Sequence, residues 1–297
     1  MTELAARYRS AMQRSDVPRV VTIAGSDPSG GAGVQADLKA FAAHGAWGCA
    51  VITALTAQNT RAVTGVHAVP AAFVREQLET LFADVAIDAV KIGMVGTREL
   101  AGTVAEVLAP RTASFRAIVF DPVMVSKGGH SLVEADAVAA IRERLLPIAT
   151  VLTPNRFEAA RLLGCEVGED EESLRAAAEA IRALGPATVC VKGGAGSGPE
   201  SIDAVATHSG TFALRTPRIA TRNLHGTGCT FSAALAAILA RGVAIDEACL
   251  LAKAFLTESL VAAERLQVGT GYGPTHALHR VAPWAFDPTS TPKVTRG

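Results

Sequence analysis

Chemically capable residues recur in one kind of place along this chain, immediately after short apolar, β-branched runs. They are Asp27, Gln58, Met94, Asp121, Asn155, Lys192 and a glycine turn at Gly226. Open α/β sheets bind ligands beyond the carboxyl ends of their strands, so residues in these positions share one edge of such a fold. Acids, amides, a lysine and glycine turns together suit an anionic, metal-bearing substrate. The turn His225-Gly226-Thr227-Gly228-Cys229 precedes the most apolar helical stretch of the chain. The first turn of a helix offers unpaired N–H groups and the positive end of the dipole, and glycines let an anion approach that backbone. On its own the motif also reads as a glycine turn feeding a buried helix. Cys229 lies where a helix N-terminus lowers a thiol pKa, which makes it a candidate proton acceptor or orienting group.

The earlier glycine turn, GSDPSGGAG (25–33), joins a strand to a helix. A Walker A loop places Lys-Ser/Thr directly after its second glycine. Here Gly30 is followed by Gly31 and Ala32, so that reading fails. Gly31-Ala-Gly33-Val-Gln-Ala36 fits the GxGxxA dinucleotide pattern. That pattern expects an acid about 20 residues on to hold the ribose, and no Asp or Glu occurs from Leu38 to Arg75. The missing acid argues against a nicotinamide-dependent oxidoreductase. A tight strand–helix connection and a loop closing over a small substrate both remain open.

The elements that must position these residues alternate. Strands are expected at Arg19 to Ala24, Ala46 to Ala57 (a buried one), Ala89 to Ile92, Ala117 to Phe120, Val151 to Thr153 and Thr188 to Lys192, with a hairpin of 202–207 and 211–215 around Ser209-Gly210. Helices are expected at 34–44, 70–84 with Phe73, Leu78, Leu81 and Phe82 on one stripe, 97–108 capped by Thr97, and 134–146. Further helices follow from the Asn155 cap, at 171–184, and at 227–241 and 246–267. Such alternation implies one α/β domain, a mostly parallel central sheet with helices on both faces. The expected boundaries are an irregular N-terminal extension at 1–18, the domain at 19–273 and a C-terminal tail at 274–297.

Composition agrees. The 297 residues are 49% hydrophobic and 19% charged, which is globular. Lys+Arg and Asp+Glu both number 28, so the positive surplus that generic nucleic-acid binding needs is missing. No apolar stretch approaches the ~20 residues of a bilayer span. The first eighteen residues lack the apolar core of a secretory signal. No nucleic-acid or membrane partner is expected. The five cysteines (49, 165, 190, 229 and 249) show no CxxC and no zinc spacing. They read as free thiols of a reduced, cytoplasmic protein, all but Cys229 as core filler.

Taken together, TIAGSDPSGGAGVQADLK (22–39), CAVITALTAQNT (49–60), KIGM (91–94), DPVM (121–124), TPNRFEA (153–159), VKGG (191–194) and HGTGCTFSAALA (225–236) carry a resemblance. In this order and spacing they resemble the ribokinase-like kinases, and within them the hydroxymethylpyrimidine/phosphomethylpyrimidine kinases of thiamin biosynthesis. The resemblance runs from Arg19 to Gly273. It implies a ribokinase-like three-layer fold, ATP and Mg²⁺ as cofactors, and a homodimer. It also implies two successive phosphorylations, of 4-amino-5-hydroxymethyl-2-methylpyrimidine and then of its monophosphate.

Site roles implied by the resemblance follow position by position. Gln58 matches the residue whose amide pairs with the pyrimidine edge, and Asp37 an acid near the ring. Gly25, Ala32, Met94 and Val123 match the pocket wall. Gly226, Thr227 and Gly228 match the anion hole, and Cys229 stands where wider relatives place an aspartate base. Lys192 matches a phosphate-neutralising lysine, and Asp121, Asn155 and Glu158 the group that holds Mg²⁺. Lys127, in SKGGH (126–130), is a candidate cover for the phosphates. Arg222 and Leu224 depart from the Lys and Thr that relatives often carry, which touches nucleotide affinity. The nearest rival reading is a pyridoxal kinase of the same superfamily.

Overall fold

Period-two alternation along the short strands sorts their side chains into two layers. Val21 and Ile23, Val90 and Ile92, Ile118 and Phe120, and Val189 and Val191 enter one core. Val20, Ala89, Ala117, Val119 and Cys190 enter the other. In the computed structural model these strands form one nine-stranded sheet of order β3-β2-β1-β4-β5-β6-β7-β8-β9. The structure describes residues 16–125, 133–134, 136–194 and 196–281. The extension before residue 16, Lys127 and the tail from residue 282 lie outside the described residues.

The parallel centre comprises β1 (Arg19–Ser26), β2 (Trp47–Gln58), β4 (Ala89–Ile92), β5 (Ala117–Phe120), β6 (Val151–Leu152) and β7 (Thr188–Lys192). Three antiparallel strands finish its edges: β3 (Val63–Ala68) on one side, β8 (Glu200–Thr207) and β9 (Gly210–Pro217) on the other. The first core is covered by α2 (Ala71–Asp84), α3 (Arg98–Leu108), α4 (Ala137–Ala140), α5 (Arg156–Leu163) and α6 (Glu171–Arg182). The second is covered by α1 (Gly33–Ala43), α7 (Thr227–Leu239) and α8 (Ile245–Ala262). This is the expected three-layer arrangement. α7 is buried almost all round. Alanines at 233, 234, 236 and 237 let it lie close on β4 and β5, and a buried residue of the size of Phe231 adds roughly 1.5–3 kcal/mol.

Several details differ from expectation, each for a physical reason. β2 is only half buried, because it lies next to the edge, and Trp47 and Leu55 face outward. Its partner β3 had no apolar alternation to announce it; all its residues after Val63 are exposed. Phe73 leaves the expected stripe and is exposed; Val74 and Leu78 supply the buried face of α2. The helix expected over 134–146 is a single α turn that loosens into a π turn (Ile141–Leu145) and a 3-10 turn (Leu146–Ile148) ahead of β6. Cys165 is exposed and Cys49 half-buried, so only Cys190 and Cys249 fill core as expected. Residues 274–281 contain no long element, yet they pack on the body: Ala277 is buried and Thr275 donates its N–H to the His225 carbonyl.

Candidate functional site

The strand order reverses at β1, which is flanked by β2 and β4. Ligand crevices form at such switch points, beyond the carboxyl ends. The 25–33 turn leaves β1 there, Gly93 and Met94 leave β4, and Asp121 leaves β5. Continuing the alternation of their strands puts Thr22, Lys91, Asp121 and Lys192 on the second face, under α7.

The two glycine turns touch. A Cβ on Gly226 would come 1.8 Å from the Gly31 carbonyl oxygen, and one on Gly31 would come 2.2 Å from His225 Cδ2. Gly226 also has φ +75°, a left-handed conformation open to glycine. Asp27 holds the pair together. Its carboxylate accepts the N–H groups of Ser29 (2.8 Å), Gly31 (3.2 Å) and Ala32 (2.9 Å) and lies 2.7 Å from His225 Nε2. Burial works to raise the Asp27 pKa, but the hydrogen bonds from His225 and Ser29 outweigh it and hold the carboxyl below its ordinary value. Gln35 braces the same turn, accepting the Asp27 N–H at 2.9 Å and donating to Ser26 Oγ at 2.8 Å. Asp27 thereby fills the place that a dinucleotide pyrophosphate would need at the start of α1, a second objection to the oxidoreductase reading.

Gln58 ends β2 beside this junction. Its Oε1 accepts from Thr56 Oγ1 at 3.2 Å. Its amide nitrogen lies 3.3 Å from His225 Nε2, whose proton goes to the closer Asp27, so the amide N–H groups stay uncommitted. Met94 packs on Gly25, where a Cβ would fall 2.7 Å from the Met94 methyl. Gly25, Ala32, Gln58 and Met94 therefore lie close together at this end of the carboxyl edge. Asp37 does not join them. It is wholly buried, one layer down, accepting from Lys91 Nζ (2.8 Å) and Thr22 Oγ1 (2.6 Å).

The other end gathers the charged residues. Lys192 Nζ donates to Asp121 Oδ1 at 2.7 Å, and Thr153 Oγ1 donates to the same oxygen at 3.2 Å. A Cβ on Gly228 would lie 3.1 Å from Lys192 Nζ and 3.2 Å from Asp121 Oδ2, so the first turn of α7 opens onto both charges. Gly226 offers no side chain to cap those N–H groups. Asn155 and Glu158 form a capping box at α5: the Asn155 amide oxygen accepts the N–H of Phe157 and Glu158 at 2.9 Å, and Glu158 accepts that of Asn155 at 2.8 Å. Glu158 also takes the Met124 N–H, which ties DPVM, and Val123 within it, to the cluster. Burial, and next to it the repulsion of Asp121, push Glu158 up to about 7 against the pull of Lys192. Burial disfavours the Lys192 charge too, yet Asp121 and Glu158 keep it protonated.

These donors fit Mg²⁺. They are hard oxygens, and a divalent cation would relieve the carboxylate repulsion that lifts Glu158. Among the described residues no three His, Cys, Asp or Glu converge on one point. That suits an ion brought by phosphate oxygens and steadied by one or two carboxylates. Asn155 has spent its amide oxygen on the cap and can reach the ion only through water.

Cys229 stands between the two ends. α1 and α7 pack on each other, and a Cβ on Gly226, just before α7, would lie 3.4 Å from Ala32 Cα, just before α1. The expected low pKa is not found. Burial pushes the thiol up to about 11, and Lys91 and the Gly33 N–H recover only part of the shift, opposed by Asp37 and Asp121. Beside the second turn a polar cleft of about 660 Å³ opens between Thr221, Arg222 and Asn223 on one wall and Glu264, Gln267 and Gly269 on the other.

Sequence reasoning marked Asp27 only as an acid at a strand end and assigned no role to His225, Gln35 or Lys91. Asp27 and His225 are 198 positions apart, and neither announces the other. Lys91 carried one signal, a charged residue inside a four-residue apolar strand, AVKI.

The family model described as phosphomethylpyrimidine kinase matches residues 27–276. A hydroxymethylpyrimidine/phosphomethylpyrimidine kinase of Rhizobium meliloti (strain 1021) is 50% identical over 260 residues, covering 88% of this chain and 97% of the relative. Among solved structures, the Staphylococcus aureus pyridoxal kinase in complex with AMP-PCP and pyridoxal aligns with TM-score 0.81 and 34% identity, over 90% of this chain and 96% of the other. The phosphomethylpyrimidine kinase from Clostridium difficile 630 aligns with TM-score 0.72 and 36% identity, over 82% and 100%. With its three-layer sheet, its joined glycine turns and a match across nearly the whole described chain, this protein belongs to the phosphomethylpyrimidine kinase family of ribokinase-like enzymes.

Proposed function

We propose that this chain transfers the γ-phosphoryl group of ATP to 4-amino-5-hydroxymethyl-2-methylpyrimidine, and then a second phosphoryl group to the monophosphate, giving the diphosphate used for thiamin. The observation that supports the reading is the contact of the two glycine turns, at Gly31 and Gly226, with Cys229 on the first turn of α7 beside it. The pyrimidine lies between the 25–33 turn and Gln58, whose free N–H groups and carbonyl oxygen match the donor and acceptor edge of an aminopyrimidine. The γ-phosphate lies over Gly226, Thr227 and Gly228, with Lys192 neutralising its charge, and the nucleotide runs toward the cleft at Arg222. Asp121 and Glu158 would hold Mg²⁺, which would supply charge neutralisation at the phosphates.

Phosphoryl transfer asks mostly for positioning and charge stabilisation. In the first step the hydroxyl oxygen bonds to the γ-phosphorus as the bond to ADP breaks, and the hydroxyl proton goes to Cys229. With the thiol near 11, the thiolate available for this is scarce at neutral pH and grows about tenfold per pH unit. In the second step the acceptor is already an ionised phosphate, and no base is required.

The test uses purified protein, ATP and Mg²⁺ with each alcohol. ADP release with the pyrimidine is expected; turnover of pyridoxal with none of the pyrimidine would reject the reading in favour of the pyridoxal kinase that the solved neighbours raise. Cys229→Ala should lose roughly 10²–10⁴ of the alcohol rate, together with its rise between pH 7 and 9, and far less of the monophosphate rate. Unchanged rates with both acceptors would remove the thiol from the chemistry.

A further inference from the structure

The His225 ring is fixed from several sides. Its backbone N–H donates to the Gly273 carbonyl at 3.0 Å, and its carbonyl accepts the Thr275 N–H at 3.2 Å. The ring packs over Gly31, where a Cβ would lie 2.9 Å from Nε2 and 3.2 Å from Pro274 Cβ. Asp27 Oδ2 already accepts the N–H groups of Gly31 and Ala32, so its approach to 2.7 Å requires the ring proton on Nε2. The second group beside that nitrogen is the Gln58 amide, 3.3 Å away.

Gln58 has a complementary need. Period two puts Thr56 and Gln58 on one face of β2, and the ladder to β3 shifts register between Ala57 and Gln58, where the strand ends. Thr56 Oγ1 has one proton and two oxygens within reach, the Ser26 carbonyl at 3.0 Å and Gln58 Oε1 at 3.2 Å. The nearer carbonyl takes the larger share. With its oxygen toward Thr56, the amide is left with the longer, shared contact, and its N–H groups face the N–H of His225. A half-turn about the last torsion exchanges oxygen and nitrogen, and that torsion is soft in glutamine. After the half-turn one amide N–H donates to Thr56 Oγ1, Thr56 gives its proton to Ser26 alone, and the amide oxygen takes a share of the His225 proton.

We propose that His225, anchored by Asp27, and Thr56 are positioning residues that hold the Gln58 amide in this turned orientation, oxygen toward His225 and nitrogen toward Thr56. The inference rests on the reading of Gln58 as the group that pairs with the pyrimidine edge. One N–H and one oxygen lone pair remain for the acceptor, a fixed donor beside a fixed acceptor. The edge of an aminopyrimidine, a ring nitrogen next to an amino group, matches that order in one direction. An amide free to turn would offer both orders and lose that freedom on binding. The residue that opens the Gly226 turn thus also sets how the alcohol is read at the far side of the junction.

The test is a double-mutant cycle on KM and kcat for the pyrimidine alcohol at saturating ATP. His225→Leu removes the ring N–H and should raise KM about tenfold, the effect of one hydrogen bond, with kcat lowered much less. His225→Gln brings an amide N–H close to the place of the ring Nε2, keeps a donor for Asp27 and should recover most of the KM. Gln58→Met removes the amide, and in that background His225→Leu should raise KM no further. A ring that merely joined the two turns would raise KM equally in both backgrounds, and that result overturns the proposal. So does an unchanged KM in His225→Leu, the outcome if the amide nitrogen faces the ring, or a loss confined to kcat. If His225→Leu fails to fold, Thr56→Val takes its place in the cycle and Thr56→Ser is the rescue, with the same expectations and the same overturning results. Wild-type protein that leaves the pyrimidine alcohol unphosphorylated sinks the substrate reading and this inference with it. Wild-type turnover with an additive cycle sinks this inference alone.

Discussion

Glu158 is the residue at which capping, charge and burial compete most openly. Its carboxyl is raised to about 7 from an ordinary 4.5, chiefly by burial. A folded pKa above the unfolded one means that the folded chain binds the extra proton between the two values, so this group's contribution to stability falls as pH rises through that window. Glu158→Gln keeps an oxygen for the Asn155 N–H and removes the buried charge. In chelator, the variant should melt a few degrees above the wild type at pH 8, and the gap should close toward pH 4.5. A gap of the same size at both pH values in thermal melts would contradict the account. Most of the charged cluster was legible in sequence, because Asp121, Asn155 and Lys192 each follow an apolar run that ends abruptly. Lys91 was not, because a lysine in so short a strand reads as solvent-facing until the helix above it is known. Asp37 was misplaced for the converse reason: the resemblance puts it near the ring, but only packing shows that it points inward.

At the level of elements, the turn into α7 carries the tightest geometric demand. Gly226→Ala would introduce a Cβ at a positive φ and 1.8 Å from the Gly31 carbonyl oxygen. Neither backbone can yield without separating the two turns, so the variant should lose stability by roughly 1–3 kcal/mol and most phosphorylation of either acceptor. Denaturant melts and ADP release would show it, and near-normal turnover of the monophosphate would refute it. β4, β5 and β7 begin and end where the sequence places them, since each is a buried run closed by Gly, Asp-Pro or Lys-Gly. β3 escaped because an edge strand exposed on both sides needs no apolar pattern. The 134–146 segment escaped because helix periodicity persists even where the chain must loosen to enter β6.

Across the molecule, the site is assembled from both halves of the chain. The segment after Gly273 completes it: the His225 N–H donates to the Gly273 carbonyl, Thr275 returns a bond to His225, and the Thr230 and Thr275 hydroxyls lie 2.7 Å apart. A chain ending at Gly273 should therefore unfold several degrees lower and lose phosphorylation of both acceptors together. Full activity of that truncation would show that His225 needs no such support. The mostly parallel sheet with helices on both faces was readable from alternation alone, whereas this strap was not, because Pro, Thr and Gly carry no periodicity and its contacts reach across the fold.

The bond between Asp27 and His225 has a further consequence in time. A polypeptide leaves the ribosome N-terminus first, so the aspartate emerges while its partner, 198 positions further on, is still unmade. A nascent chain can pair most of its parallel strands well before then, yet its two turns have nothing to join them. Joining of the two turns thus arrives as one late event in synthesis, and a ribosome stalled before residue 225 would hold a chain that consumes no ATP.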